Sequence, residues 1–395
     1  MPLSKDLEKA IDDVVDHERD ALSKLSRNIH ANPELRFEEH KAAAWITELL
    51  RSRGFEVEHG VAGMGTALRA RRGNAKGPRV AILGEYDALP EIGHACGHNL
   101  IAASAVGAFL AAASVAEKVG GEVVFLGTPA EEGGGGKIKM IEAGVFEGLS
   151  AAMMFHPFDR DVLAHPALAS VWLAMTFHGA PAHGAAAPHD GKSALTACMD
   201  TFRLIDGQRV HFRDGVRVHG YITNGGQAVN IIPELAACEF SVRARTVEEL
   251  ARVRAIVERC AKGAAMASDV TVEIVARQGY RDMRNNMAMA RRFGAHLEGA
   301  SSTHRKALET DDRVGAGSTD MGDVSHVVPS IHPYLAIVDE NEALCHQHRF
   351  AHAAGSDRGL DTACDAAKAL ARTAVELLTD EALRNKVQEE WRAGA

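Results

Sequence analysis

Residues 84–99 read Gly-Glu-Tyr-Asp-Ala-Leu-Pro-Glu-Ile-Gly-His-Ala-Cys-Gly-His-Asn, placing three carboxylates, two histidines and a thiol in one glycine-punctuated turn. Cys96 and His98 stand two apart, and in extended or turn backbone that spacing aims both side chains to one side. A thiolate beside an imidazole suits a borderline-soft divalent ion such as zinc, and it also suits a nucleophile with its base. Two ligands do not complete a metal site, so other segments must supply donors. Glu131 and Glu132 are adjacent. In extended backbone they point opposite ways, so one can bind a metal while the other faces a water activated by it, whose pKa falls to about 7 in favourable zinc sites. Four glycines, 133–136, follow the pair and let backbone approach closely, which counts against a merely solvated acidic loop. The run Gly-Gly-Gly-Gly-Lys137 is not a phosphate loop, because Ile138 stands where a magnesium-binding Ser or Thr is required. His156 precedes Pro157 at the end of an apolar run, and Cys345-His346-Gln347-His348 is the last polar cluster. Either His346 or His348 completes the donor set.

The elements that must position these residues follow from hydrophobic period. Leu7–Ile29 and Glu38–Arg53 carry helical spacing, then Phe55–Glu58, Thr66–Ala70 and Pro78–Leu83 read as short strands, the last running into the turn at 84–99. Leu100–Ala113 reads as a helix of small residues, Glu122–Leu126 as a strand, Ile138–Ala143 as a helix and Ala151–Phe155 as a strand. Alternating elements with chemistry at the strand ends predict an α/β domain: a largely parallel sheet flanked on both faces by helices, in three layers. After His156-Pro157 the pattern becomes strand 170–178, helix 191–205, strands 216–223 and 236–244, helix 247–265 and strand 270–276, which describes a two-layer α+β unit of split βαβ, ferredoxin-like order. Helices return after Asn285, with a buried strand expected at Ile331–Ile337 and closing helices at 361–378 and 380–391. The expected organisation is a main domain of residues 1–168 and 286–395 with a smaller one, 169–285, inserted.

A formal charge of −9 over 395 residues and the lack of a clustered cationic surface argue against a nucleic-acid partner. No uninterrupted apolar run of spanning length is evident, which predicts no transmembrane helix. The N-terminal segment lacks a basic stretch leading into an apolar core, which argues against export. Six scattered cysteines in so long a chain favour a reduced, cytoplasmic setting.

A second glycine- and histidine-rich turn, Phe177–Ser193, carries His183 inside the inserted segment, and Asn230 with Arg243 offers an amide and a guanidinium suited to a substrate carboxylate. Taken together, Tyr86–Pro90, His94–Asn99, Pro129–Gly135, His156-Pro157, Ala182-His183, Asn230–Pro233 and Gly317–Gly322 resemble the metal-dependent amidohydrolase and peptidase family of aminoacylases, hippurate hydrolases, indoleacetyl-amino-acid hydrolases and aminobenzoyl-glutamate hydrolases. The resemblance implies that Cys96, His98, Glu132, His156 and His346 hold two divalent ions, zinc or manganese first and cobalt or nickel next, with Glu131 as general base. It implies that the inserted unit is a lid and dimerisation domain. His183 would reach the partner subunit's site in a homodimer and act in catalysis there, steadying the tetrahedral oxyanion or the substrate carboxylate, and Asn230 and Arg243 would bind that carboxylate. Asn99 stands where hippurate-type members usually have Asp, which resembles the aminobenzoyl-glutamate and dipeptidase-like branch. The expected reaction is hydrolysis of the amide C–N bond of a small N-acyl or N-aroyl amino acid or dipeptide. Two alternatives use the same turn: hydrolytic deamination of an aromatic amine acid on the dinuclear site, and a cysteine hydrolase with Cys96 as nucleophile and His94 or His98 as base.

Overall fold

The computed structural model describes residues 3–277, 279–301, 303–311 and 317–394, and it divides into two compact units. The first comprises Met1–Pro166, Met283–Ala316 and Asp320–Ala395; the second comprises Ala167–Asp282 and Gly317–Thr319.

The chain opens with helix α1 (Lys5–Ala31), started by the Ser4 hydroxyl, which accepts from Leu7 N. Ile11, Val15, Leu22, Leu25 and Ile29 recur at helical spacing and are buried, each worth at most about 1.5–3 kcal/mol of transfer energy. Then come α2 (His40–Ser52), β1 (Val57–His59), β2 (Leu68–Gly73), β3 (Arg79–Gly84), α3 (His98–Val119), β4 (Glu122–Gly127), α4 (Gly136–Glu142), β5 (Ala151–Met153) and β6 (His156–Phe158). The second unit follows with β7 (Ala169–His178), β8 (Ala182–His183), α5 (Ala194–Gln208), β9 (Arg217–Asn224), β10 (Ile231–Ile232), β11 (Leu235–Ala244), α6 (Val247–Ala267) and β12 (Thr271–Arg277). The chain returns to the first unit with α7 (Met287–Ala300), α8 (Met321–Ser325), β13 (Ser330–Ile331), β14 (Tyr334–Ala336), α9 (His348–Ala354), α10 (Asp357–Thr379) and α11 (Glu381–Ala393).

The first unit is built on a six-stranded sheet of order β1-β2-β4-β3-β5-β13. Strands β4, β3, β5 and β13 run parallel, and β2 and β1 add an antiparallel edge. β3 and β4 are almost wholly buried, as strands covered on both faces must be. The expected α/β class holds, with helices on a largely parallel sheet. In the second unit β12-β7-β11-β9 form an antiparallel sheet, with α5 and α6 packed on one face over Leu173, Met175, Phe177, Phe240 and Val242. Its β-α-β-β-α-β order is the ferredoxin-like arrangement expected. A two-stranded ribbon, β8 against β10, stands apart from that sheet.

Three expectations need correction. The strand at Ile331–Ile337 is broken at His332-Pro333: β13 pairs with β5, whereas β14 pairs with β6, because Pro333 has no N–H to continue a ladder. The matching run Ala151–Phe155 likewise stops at Met153, and His156 opens a new strand rather than ending the old one. Finally, α3 is long and apolar enough to cross a membrane by length and composition, contrary to the sequence expectation. It is nearly all buried inside the first unit, packed against α1 and α10, which is where a helix apolar all round belongs in a folded core.

Candidate metal centre

Because β4, β3 and β5 are parallel neighbours, their carboxyl ends deliver residues to one edge of the sheet: Glu85 after β3, the Glu131–Glu132 turn after β4 and His156 after β5. Cys96 and His98 reach that edge through the turn before α3. Gly97 closes it at φ 75°, and a Cβ there would stand 2.8 Å from Pro157 Cγ, so only glycine satisfies both the left-handed backbone and the close approach. Glu131 and Glu132 do not lie in extended backbone as expected. They sit in a turn entered through Ala130 at φ 61°, with Gly133 N bonded to Glu131 O and Gly134 N to Ala130 O, so both carboxylates face the same side.

Among the described residues four overlapping groups of donor atoms result, each with its members within 4.8 Å of one another: Cys96, His98 and His156; Cys96, Glu132 and His346; His98, Glu131 and Glu132; and Glu85, Glu131 and Asp320. The first three gather all five sequence-predicted ligands and the predicted base. His346, not His348, is the late histidine that arrives. Its Nε2 lies 3.5 Å from Glu132 Oε1, and its N–H bonds Ala95 O at 3.0 Å. It does so at φ 69°, a left-handed conformation that costs a non-glycine residue about 1 kcal/mol or more and is tolerated where function demands it. His348 instead opens α9 and belongs to none of these groups.

The imidazoles are held in ligand-ready tautomers. His98 Nδ1–H donates to Asp87 O at 2.9 Å and Asp87 Oδ1 at 3.0 Å, which leaves Nε2 as the lone-pair nitrogen, buried and without a hydrogen-bond partner. His156 Nδ1–H donates to Pro157 O at 2.7 Å, and burial with the neighbouring His98 pushes its pKa down to about 4, the neutral form a metal requires. Asp87 also accepts Glu132 N at 2.9 Å, tying the turn after β3 to the turn after β4.

The electrostatics call for positive charge. Burial opposes ionisation of His98, yet Asp87, Glu85 and Glu132 around it raise its pKa well above the ordinary value. Burial, then Glu85, Glu132 and Asp320, raise that of Glu131 well above the usual carboxylate range, the direction that favours a carboxyl able to take up a proton. Burial pushes Glu132 up as well, but His346 and His98 hold it below the usual carboxylate range. Glu85 Oε2, His98 Nε2 and Glu132 Oε1 are all buried without hydrogen-bond partners. Thiol, imidazole and carboxylate donors left unsatisfied side by side fit divalent transition ions.

Four residues of this region received no role from the sequence. Asp87 orients His98. Glu85, Lys137 and Asp320 form a fully buried ionic cluster, in which Lys137 Nζ bonds Glu85 Oε1 and lies 2.7 Å from Asp320 Oδ1. A usable signal existed for the first two: Glu85 and Asp87 are two apart after a buried strand, which in extended backbone aims both to one side.

In the second unit, His183 and Asn230 meet on the β8–β10 ribbon, where His183 pairs with Ile231 and Gly184 N bonds Asn230 O at 2.8 Å. Both are exposed, and His183 Nδ1 accepts from Ala185 N and Ala186 N. Beside the ribbon lies a cavity of about 410 Å³ lined by His178, Asn224, Gln227, Ile231, Pro233 and Glu234. Arg243 is not brought to it: Leu235 starts β11 opposite His178, and Arg243 is eight residues on, opposite Ser170.

Soft and hard donors converging at the carboxyl edge of a parallel sheet, with a buried carboxylate beside them, define a metal-dependent hydrolase of the α/β class. Peptidase family M20/M25/M40 matches residues 81–374, and the chain belongs to that family. It is 38% identical over 398 residues to the Xaa-Arg dipeptidase of Mus musculus, covering 96% of this chain and 90% of that protein. It is 34% identical over 290 residues to one of the subunits of the p-aminobenzoyl-glutamate hydrolase of Escherichia coli (strain K12), covering 68% of this chain and 60% of that protein. In fold it is similar to a Bacillus subtilis protein described as a dinuclear metal-binding peptidase from the M20 family, with a TM-score of 0.69 and 21% identity over 92% of this chain and 99% of that one.

The reading of Cys96 as a nucleophile is set aside with that membership. The Cys345 thiol beside it, then burial and Glu132, push the Cys96 thiol pKa well up, the opposite of what a thiolate nucleophile needs.

Proposed function

We propose that the chain hydrolyses the amide bond of a dipeptide or comparably small N-acyl amino acid. Two divalent ions, zinc or manganese, would be held by Cys96, His98, Glu132, His156 and His346. The observation carrying this reading is that Glu131 lies within 4.8 Å of the donor atoms of both His98 and Glu132 while also belonging to a separate carboxylate group, so it stands beside the ligands without being needed among them. When bound, such ions polarise the scissile carbonyl and acidify a water. Glu131 takes that water's proton and returns it to the leaving amine nitrogen, a role for which its burial beside other acids suits it. Asp87 keeps His98 in one tautomer, and Pro157 O does the same for His156.

The substrate class rests on likeness to the Xaa-Arg dipeptidase and to the p-aminobenzoyl-glutamate hydrolase, whose names both describe cleavage beside an amino acid. By the same family resemblance His183 steadies the oxyanion or the substrate carboxylate, Asn230 and Arg243 bind that carboxylate, and the chain works as a homodimer.

The test is Glu131→Gln with a panel of dipeptides, N-acyl amino acids and aminobenzoyl-glutamate. The expected result is an ion content equal to wild type and a kcat lower by about 10³-fold or more. Wild-type turnover should be lost with chelator and return with added ion. Retained turnover in the variant refutes the assignment of the base. Release of ammonia in place of a second organic product would assign deamination instead.

A further inference from the structure

Lys137 has no part in the reaction as described, although it is fully buried at the edge of the metal centre. Its Nζ bonds Glu85 Oε1 and lies 2.7 Å from Asp320 Oδ1, and its main-chain N–H donates to Asp320 Oδ2 at 3.0 Å. Glu85 and Asp320 are also fully buried, and with Glu131 their carboxylate oxygens lie within 4.8 Å of one another. Three carboxylates so close together, out of water, are an all-oxygen donor set of the kind that hard divalent cations such as manganese or magnesium take. The second oxygen of Glu85 is buried without a hydrogen-bond partner and lies 3.4 Å from His98 Nε2, so this acid trio borders directly on the ligand histidine.

The glycine tract delivers the lysine there. A Cβ on Gly136 would stand 1.9 Å from Pro129 O, and one on Gly134 would stand 2.6 Å from the Ala130 Cβ. Only a glycine chain folds tightly enough beneath the Glu131 turn to start α4 at Gly136 and bring Lys137 under the acids. The run Gly-Gly-Gly-Gly-Lys, which does not cradle a phosphate, thus has a structural purpose.

We propose that the Lys137 ammonium is a built-in cation that occupies the Glu85–Glu131–Asp320 trio in place of a metal ion. It closes that trio to a third divalent ion and keeps Glu131 available as a base. This rests on the assignment of Glu131 made above. Without the ammonium, the trio is an open site for a hard cation, and an ion taken up there would recruit Glu131 as a ligand and engage the lone pair that the reaction needs.

The experiment counts Mn²⁺ per chain by equilibrium dialysis and elemental analysis at millimolar free Mn²⁺, with circular dichroism to monitor folding. Wild type and Lys137→Arg should bind two ions and Lys137→Met three. The additional ion should disappear when Asp320→Asn is combined with Lys137→Met. An equal count in wild type and folded Lys137→Met overturns the proposal. If Lys137→Met is unfolded in metal-free buffer, folding upon addition of Mn²⁺ supports it, and failure to fold at any Mn²⁺ concentration overturns it. A wild-type chain that binds no ion would sink the proposed reaction, whereas this inference is decided by the difference between variant and wild type.

Discussion

Two turns of this chain are alike in composition and opposite in environment. Residues 84–99 and 177–193 are both rich in glycine and histidine and both lead from a strand towards a helix. In the first, His94 and His98 are 2% and 1% exposed. In the second, His183 is exposed and the His189 side chain is 80% exposed. The first turn lies at the end of a central parallel strand, beneath loops from β4, β5 and the segment before α9. The second crosses a two-residue ribbon. Burial is what makes a polar turn call for a cation: removed from water, Glu85, Asp87, Glu131 and Glu132 require positive charge, and His98 Nε2 and Glu132 Oε1 have no hydrogen-bond partner. The exposed turn is free of that demand, which suits a part in recognition rather than in holding ions.

The sharpest test of this contrast is His183→Ala. If the exposed turn serves recognition alone, kcat/KM falls by about 10²-fold while ion content and thermal midpoint equal those of wild type. A change in ion content would erase the distinction between the turns. Next in size is Asp87→Ala, which should weaken ion affinity by about 10–100-fold, because His98 loses the acceptor that fixes its ring; titration with a chromophoric competitor measures it, and unchanged affinity would remove Asp87 from the account. Smallest is His189→Ala, expected to leave turnover unchanged and stability within about 0.5 kcal/mol in urea denaturation. A larger loss would show that the second turn is packed more tightly than its exposure indicates.

Much of the site was legible because the motifs are local. A buried strand followed by carboxylates, a Cys-Gly-His step at a helix start and a Glu-Glu pair before glycines each announce chemistry through neighbours in sequence. The ferredoxin-like order of the second unit was legible too, since alternating apolar residues in β7 and β11 specify one buried face each. What failed depended on partners far along the chain. A single strand at 331–337 is a fair inference from apolar run alone, but β5 and β6 claim its two halves separately. The extended geometry assumed for Glu131 and Glu132 was wrong because the turn is shaped by a glycine tract that must bring Lys137 to Asp320, 183 residues away. The small-residue helix α3 looked neither long nor apolar enough to span a membrane, and its burial between α1 and α10 follows only from helix packing.

Residue types and near-neighbour spacing therefore determined the elements, the α/β class and the donors on offer. Tertiary structure alone decided which late histidine arrives, which acids lose their water and which lysine compensates them. The physical reason is that backbone preference and hydrophobic period act over a few residues, whereas desolvation and charge pairing act through space between segments that the chain order keeps apart.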